Sequence, residues 1–369
     1  MAIIKNIFAD KMLWIATAAA LLTTLVSTPR VDDINFHTIY SLLSMMILVQ
    51  IFEHLGLLQY LSKSVTTRVT NTRQLMLTFT LLAFVGAMFL TNDVTVLIMI
   101  PIFFQADKNR NTNQILGVIL ITVAANLGSA VTPFGNTHNL FLLSHYNLDL
   151  ATFFKMSLAY LVVGLVILSA TTLLLNPKHS IKVDISPSPL NPLPLLIALL
   201  VTGVIFLGIF KVIPIWIAGL VAVAAALVLD YRILFRVDYA TILVFVCFFI
   251  AVGNISRFEG IAHLIRFFVH TKLSTFLTSI FLSQFISNVP STILIAKFTS
   301  NIPELFFGSN VGGLGTTVAS MCNLLAYKQY MTFSAQRQPG KYLSHSIILN
   351  LILLLITAIA SWLVILHFC

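Results

Sequence analysis

Apolar runs of about 20 residues, each long enough for one bilayer crossing, follow one another along the chain with short polar or basic segments between them. The runs near 12–29, 36–55, 152–175, 193–210, 214–229, 239–254 and 342–367 read as uninterrupted spans. Four others are interrupted at their centres. The run 74–105 carries Thr91-Asn92-Asp93-Val94-Thr95, and the run 272–300 carries Gln284-Phe285-Ile286-Ser287-Asn288-Val289-Pro290-Ser291. A continuous helix would leave these amides, hydroxyls and the carboxylate unpaired at membrane depth. Each run therefore predicts a re-entrant hairpin, tolerated only where its polar tip is buried in protein or lines a cavity. The runs 115–143 and 308–327 are broken by Asn126-Leu127-Gly128-Ser129-Ala130-Val131-Thr132-Pro133-Phe134-Gly135-Asn136 and by Asn310-Val311-Gly312-Gly313-Leu314-Gly315-Thr316-Thr317, and each predicts a discontinuous helix.

Hairpin and broken helix occur twice in the same order. The tips are 196 residues apart at Asn92 and Asn288, and the breaks 185 apart at Gly128 and Gly313. The pattern predicts two repeats, 1–176 and 193–369, joined by a polar, Pro-rich linker at 177–192. Two spans precede the first hairpin and three the second, which inverts the second repeat. The fold class expected is an all-α polytopic membrane protein with an inverted structural repeat, about nine transmembrane helices plus two re-entrant hairpins and two discontinuous helices.

Composition agrees, since 58% hydrophobic and 9% charged residues leave too little charge to cover a water-soluble surface. The net charge of +9 suggests nucleic acid only until its distribution is read. With a cytoplasmic N-terminus, inner segments hold Lys5, Lys11, Lys63, Arg68, Arg73, Lys108, Arg110, Lys178, Lys182, Arg232, Arg236, Lys328, Arg337 and Lys341, fourteen of the 21 basic residues. The outer segments hold Arg30, Lys155, Lys211, Arg257, Arg266, Lys272 and Lys297. This asymmetry predicts a multi-pass protein of the cytoplasmic membrane with its N-terminus inside and C-terminus outside, and no nucleic-acid partner. Polar stretches around Lys63 to Arg73 and at 256–271 suit interfacial segments. Cys247, Cys322 and Cys369 have no paired spacing, so neither a disulfide framework nor a zinc site is expected. The first apolar run lacks a small-residue cleavage site and continues into a span, so no signal peptide is expected.

The chemistry concentrates at the tips and breaks. Unwound backbone at Gly128, Ser129, Gly135, Gly313 and Gly315 frees carbonyls for a desolvated cation, and half-helix N-termini present N–H groups and partial positive charge to an anion. Asn92, Thr95, Thr132, Asn136, Ser287, Asn288, Ser291, Thr316 and Asn323 add neutral ligands, with Na+ candidates at Asn92, Asn136 and Asn288. Asp93 is the acid at a hairpin tip. It reads as a proton carrier or cation ligand, or as a cap of the second arm, and Ser287 and Asn288 carry the same two readings. Pro290 fits the first position of its arm. His138 reads as a proton relay or as a hydrogen-bonded structural residue, and Lys297 as a snorkelling residue at the outer mouth.

These residues resemble the paired signatures of the ion transporter superfamily. Asn92-Asp93-Val94-Thr95 with Pro101, and Ser287-Asn288-Val289-Pro290, are similar to its hairpin motifs, closest to the arsenite/antimonite permease and type D sodium/proton antiporter branch, with citrate-type and divalent anion/sodium symporters as cousins. Thr132-Pro133-Phe134-Gly135-Asn136-Thr137-His138-Asn139 resembles the branch's T-P-x-G-N-P-x-N signature, with Thr137 at the proline position. The resemblance implies alternating access by an elevator-like movement of the hairpins and broken helices against a scaffold that forms a homodimer. The expected activity is secondary active transport of a small anion, a carboxylate or oxyanion, coupled to Na+ or H+. Sodium/proton antiport and arsenite/antimonite efflux are the alternatives. No cofactor is expected beyond the coupling ion. A channel needs a continuous polar pathway, and the motifs of intramembrane enzymes are missing, so neither class fits.

Overall fold

The computed structural model describes residues 7–8, 10–67, 69–107, 112–176, 178–180 and 190–368. Most of the linker, at 177 and 181–189, lies outside the described residues, as do Lys5, Arg68, Lys108, Arg110, Lys182 and Cys369. Regular structure among the described residues is helical apart from an isolated bridge between Asn71 and Ser180. The first half runs α1 (Lys11–Thr24), α2 (Phe36–Leu55), α3 (Leu57–Thr66), α4 (Thr72–Leu90), α5 (Asn92–Ala106), α6 (Gln114–Ser129), α7 (Thr137–His145) and α8 (Leu150–Leu175). The second runs α9 (Pro192–Ile209), α10 (Ile215–Asp230), α11 (Arg232–Arg236), α12 (Tyr239–Ser256) and α13 (Glu259–Phe268). It closes with α14 (Lys272–Ile286), α15 (Asn288–Ala296), α16 (Ile302–Gly312), α17 (Met321–Phe333) and α18 (Pro339–Phe368).

Six of these helices are long and apolar enough to cross a bilayer: α2, α4, α8, α9, α12 and α18. The chain is a multi-pass membrane protein. Helix starts are set by side chains that satisfy free N–H groups. Asn35, Asn71, Asn113, Asp149 and Asp238 each accept a backbone N–H of the first turn of α2, α4, α6, α8 and α12. The first helix ends at Thr24, short of the expected 29, and Pro29 with the extended residue before it keeps the helix from resuming.

The hairpin arms differ from two half-crossings. The nineteen residues of α4 are about 28 Å long, enough to span alone, with Thr78 and Thr80 as the hydroxyls within the run and Thr80 Oγ1 bonded back to Met76 O. The second broken helix is also longer than 308–327, with α16 starting at Ile302 and α17 ending at Phe333.

The helices pack as two groups. One contains both hairpins and both broken helices, with α4 along α6, α14 along α16, α5 against α17, and α8 and α18 behind them. The other pairs α1 with α12 and joins α2 with α9 and α10. Arg257 fastens this second group at one end. Its guanidinium donates to both Asp33 carboxylate oxygens at 2.9 Å, to Ser27 Oγ at 2.7 Å and to Thr28 O at 2.9 Å. In the first group, the buried Glu304 sits in the first turn of α16 with Lys272 Nζ 3.5 Å away, so α14 and α16 begin side by side.

Two glycines allow the closest approach of these helix pairs. A Cβ on Gly128 would stand 2.0 Å from the carbonyl oxygen of Phe84, and one on Gly312 would stand 2.5 Å from Ser283 Oγ. Phe84 O is backbone and has no rotamer in which to retreat. Gly128→Ala is therefore expected to cost about 1–3 kcal/mol, read as a fall of several degrees in the unfolding temperature of the purified protein. Gly203→Ala, where nothing lies within 4 Å of the new atom, is expected to leave that temperature unchanged. An unaltered Gly128→Ala protein would mean that α4 and α6 do not meet at this position.

Candidate functional site

Both hairpins turn on one residue with a backbone that side chains rarely tolerate. Thr91 has φ 73° and ψ 155°, and Ser287 has φ 72° and ψ 154°. A non-glycine residue there stores about 1–3 kcal/mol and persists only where its surroundings dictate it. The surroundings are the breaks, and the same bonds appear at both tips. Thr132 Oγ1 donates to Met88 O at 2.6 Å, and Thr316 Oγ1 to Gln284 O at 3.0 Å. Each threonine also accepts a backbone N–H three residues on, from Gly135 at 3.1 Å and Ala319 at 3.2 Å. The carbonyls of those two residues accept the N–H that opens each second arm, Asn92 at 3.2 Å and Asn288 at 2.9 Å.

The two breaks then cross each other through asparagines. Asn126 Nδ2 donates to Asn323 Oδ1 at 2.9 Å, and Asn310 Nδ2 to Asn139 Oδ1 at 3.0 Å. Asn310 Oδ1 accepts from Asn136 Nδ2 at 3.0 Å, and Asn126 Oδ1 from Ser320 Oγ at 3.0 Å and Asn92 Nδ2 at 3.1 Å. Corresponding residues of the breaks are 184 apart, Asn126 with Asn310, Gly128 with Gly312 and Asn139 with Asn323. That is one less than the 185 read from the glycines, because Gly312, not Gly313, makes the close helix contact.

A cavity of about 440 Å³ lies where the tips meet the second helix group. Its polar wall includes Asn92, Asp93, Asn136, His138, Ser287, Asn288 and Ser320, and its facing wall is largely apolar, with Leu42, Met45, Met46 and Val49 of α2 and Val244, Phe245 and Phe248 of α12 beside the polar Gln50 and Thr241 of the same helices. Asp10, Arg236, Asp238 and Lys328 also line it. Of the fifteen candidate ligands singled out in the sequence, Asn92, Asp93, Asn136, Ser287 and Asn288 face this space, together with His138 and Pro290. The other ten stand behind them. Thr132 and Thr316 hold the tips as described. Ser129 Oγ donates to Asn126 O at 2.9 Å, Ser291 Oγ lies 3.0 Å from Ser283 Oγ, and Asn323 ties down Gly313 O at 3.1 Å and Thr316 O at 2.9 Å. Thr95 is fully buried. Gly128, Gly135 and Gly313 pack against backbone or asparagine, and Gly315, at φ +102°, leaves room for the amide of Gln284. That amide donates to Gly312 O and Leu314 O and accepts from Thr316 N.

Of the residues weighed as caps for the tips, Ser287 stands at a cap position, whereas Asp93 and Asn288 lie inside their arms. The second arms start at Asn92 and Asn288 with Thr91 and Ser287 at the cap positions; neither cap accepts a backbone N–H of its helix, and Ser287 Oγ donates instead to Asn288 Oδ1 at 3.4 Å. Pro290 is the third residue of its arm, not the first, a position whose N–H is also free in a helix. Asp93 is half-buried, and its Oδ1 is shielded without a hydrogen-bond partner among the described residues. The sequence reading missed the central asparagines, Asn126, Asn139 and Asn310, although their recurrence at 184 residues is visible in the chain. It also missed Arg236, Asp238 and Lys328 at the cavity, which look like loop charges until α11, α12 and α17 bring them together.

Known proteins share this plan. The citrate transporter family matches residues 2–304. The inner membrane protein YbiR of Escherichia coli is 30% identical over 304 residues, 80% of each chain. An uncharacterised transporter of Methanocaldococcus jannaschii is 26% identical over 306 residues, 80% of this chain and 81% of its own. Among solved structures, the YdaH transporter of Alcanivorax borkumensis is similar in fold, with a TM-score of 0.55 over 93% of this chain and 88% of its own at 16% identity. With a match over most of its length, and with the paired hairpins and crossed breaks of the ion transporter superfamily, the chain belongs to the citrate transporter family.

Proposed function

We propose that the protein is a secondary active transporter of a small carboxylate or oxyanion across the cytoplasmic membrane, coupled to H+ through Asp93. The observation that carries this reading is the shielded, unpartnered Oδ1 of Asp93 at a hairpin tip in the cavity. A carboxylate in that setting needs a proton or a cation. The first turns of α5 and α15 also reach the cavity and offer the positive ends of two helices to an anion. Arg236 and Lys328 attract the same charge at the mouth.

In this reading residues 1–176 and 193–369 are inverted repeats, with the N-terminus inside and the C-terminus outside. The group holding the hairpins and broken helices moves as an elevator against the α1, α2 and α9–α12 group, which supplies the dimer contact. The leucine, methionine, valine and phenylalanine side chains of the facing wall support that movement, because their contacts are non-directional.

The second reading, sodium/proton antiport, is favoured by the carboxylates of Asp10, Asp93 and Asp238 on one cavity. Arsenite/antimonite efflux, the remaining alternative, uses the same neutral amides. Thermal shift separates the three. A rise in unfolding temperature with succinate or malate supports the anion reading. A rise with Na+ or Li+ and none with any anion supports the antiporter, and a rise with arsenite alone the efflux permease.

In proteoliposomes, Asp93→Asn is expected to abolish accumulation driven by a pH gradient while leaving substrate exchange in place. Gradient-driven accumulation at the wild-type level in that variant would remove Asp93 from coupling. Asn92→Ala and Asn288→Ala each delete an amide from the cavity wall and are expected to raise the half-saturating concentration about 10- to 100-fold, the loss of one hydrogen bond to a charged ligand. Size-exclusion profiles should stay those of a folded protein. Unchanged transport in both variants would move the site elsewhere.

A further inference from the structure

Two side-chain hydrogen bonds join the hairpin group to the α1, α2 and α9–α12 group among the described residues, and both lie at one end of the seam. Ser144 Oγ, at the end of α7, donates to Asn35 Oδ1, the cap of α2, at 3.0 Å. Lys211 Nζ, between α9 and α10, donates to Asn147 Oδ1, three residues beyond Ser144. The cavity lies farther along the same helices, its lining starting at Leu42 on α2 and stopping at Leu140 on α7. Between cavity and bonds the buried ring of Phe141 meets that of Phe249 on α12, with centroids 5.7 Å apart. Arg257 follows α12 and binds Asp33, just before α2, so α12 ends where α2 begins. Asp10 and Asp238, which cap the starts of α1 and α12, therefore rim the cavity at the opposite end, with Arg236 beside them.

Both bonds can part without stranding a buried group. Asn147 and Lys211 are exposed, so water replaces each for the other. Asn35 Oδ1 also accepts the N–H of Thr38 at 2.9 Å, and that bond keeps α2 capped when Ser144 leaves. Ser144 Oγ has the carbonyls of its own preceding turn to fall back on. The asparagines of the breaks differ, being buried and bonded at both ends of the amide. Tyr146, between the two bonds in sequence, ties this end of α7 to the hairpin group, its hydroxyl lying 3.0 Å from Ala296 O and 2.8 Å from Thr299 O. Any displacement of the second hairpin along the seam thus pulls on both bonds together.

We propose that the Ser144–Asn35 and Asn147–Lys211 bonds are a releasable latch, which closes the seam beyond Phe141 and holds the protein in the state whose cavity communicates with the end rimmed by Asp10 and Arg236. The inference rests on the movement of one helix group against the other proposed above. Thr38 reports on the latch. It is fully buried, three residues after Asn35 and four before Leu42 on the same face of α2, so a thiol there meets a reagent only when this end opens. With Cys247, Cys322 and Cys369 replaced by alanine, the maleimide labelling rate of purified Thr38→Cys protein measures that opening. Adding Ser144→Ala and Lys211→Met is expected to speed labelling about tenfold or more, the bias of one or two hydrogen bonds, with the unfolding temperature unchanged.

An unchanged labelling rate overturns the latch and leaves the movement standing. Labelling at the rate of a free thiol while both bonds are intact also overturns it, because the end is then already open. So does faster labelling with a lowered unfolding temperature, which reports a loosened fold. The movement has its own test. Asn35→Cys and Ser144→Cys, joined by a short reducible thiol cross-linker, are expected to stop transport until a reductant is added. Transport that continues in the linked protein removes the movement, and the latch falls with it.

Discussion

A helix interrupted inside an apolar surrounding releases backbone N–H and C=O groups that lipid cannot satisfy, and the fold has to provide a partner for each. The structure meets that demand at four interruptions by bringing them to one place. Each break supplies a threonine that binds the arm leading to a tip and a carbonyl that binds the arm leaving it. The strained backbone of Thr91 and Ser287 follows from this arrangement. It is held from outside by the break and not by its own sequence, since a threonine or serine in isolation avoids that conformation.

The same demand explains why amides dominate the centre. An asparagine has a donor and an acceptor on one short stem, so it can serve two breaks at once without adding charge. Satisfied in this way, the network holds the polar wall of the cavity in one arrangement. The opposite wall is made mostly of leucine, methionine, valine and phenylalanine, whose contacts are non-directional. The seam between the two groups thus joins a fixed polar surface to an adaptable apolar one, with methionines able to refit their shape.

Much of this was legible in the chain. Polar residues inside apolar runs marked the tips, and glycines with hydroxyls marked the breaks, because few other arrangements tolerate them at membrane depth. Helix lengths were less legible. Nothing in the sequence says that α4 reaches the tip only after a full spanning length, since hydropathy records how apolar a run is and not where it turns. The cavity was the least legible. Asn126 and Asn323 are 197 positions apart, and Arg236 comes to line the same cavity as Asp93 only after α12 has packed beside α2 and α15. Single residues of that kind carry no local signature. The spacing of the glycines also misled by one, because Gly312 and Gly313 are adjacent and only the contact with Ser283 distinguishes them.

The crossing of the two breaks is an isologous contact formed within one chain. Asn126 meets Asn323 as Asn310 meets Asn139, and Ser320 meets Asn126 as Asn136 meets Asn310. Two identical half-length chains pairing about a twofold axis would make these same bonds. Covalent connection frees the two partners to differ, and they do so beside the cavity, where His138 corresponds to Cys322. The two sides of the crossing therefore carry unlike groups, a histidine that lines the cavity and a cysteine buried behind it, which a true twofold contact would not allow.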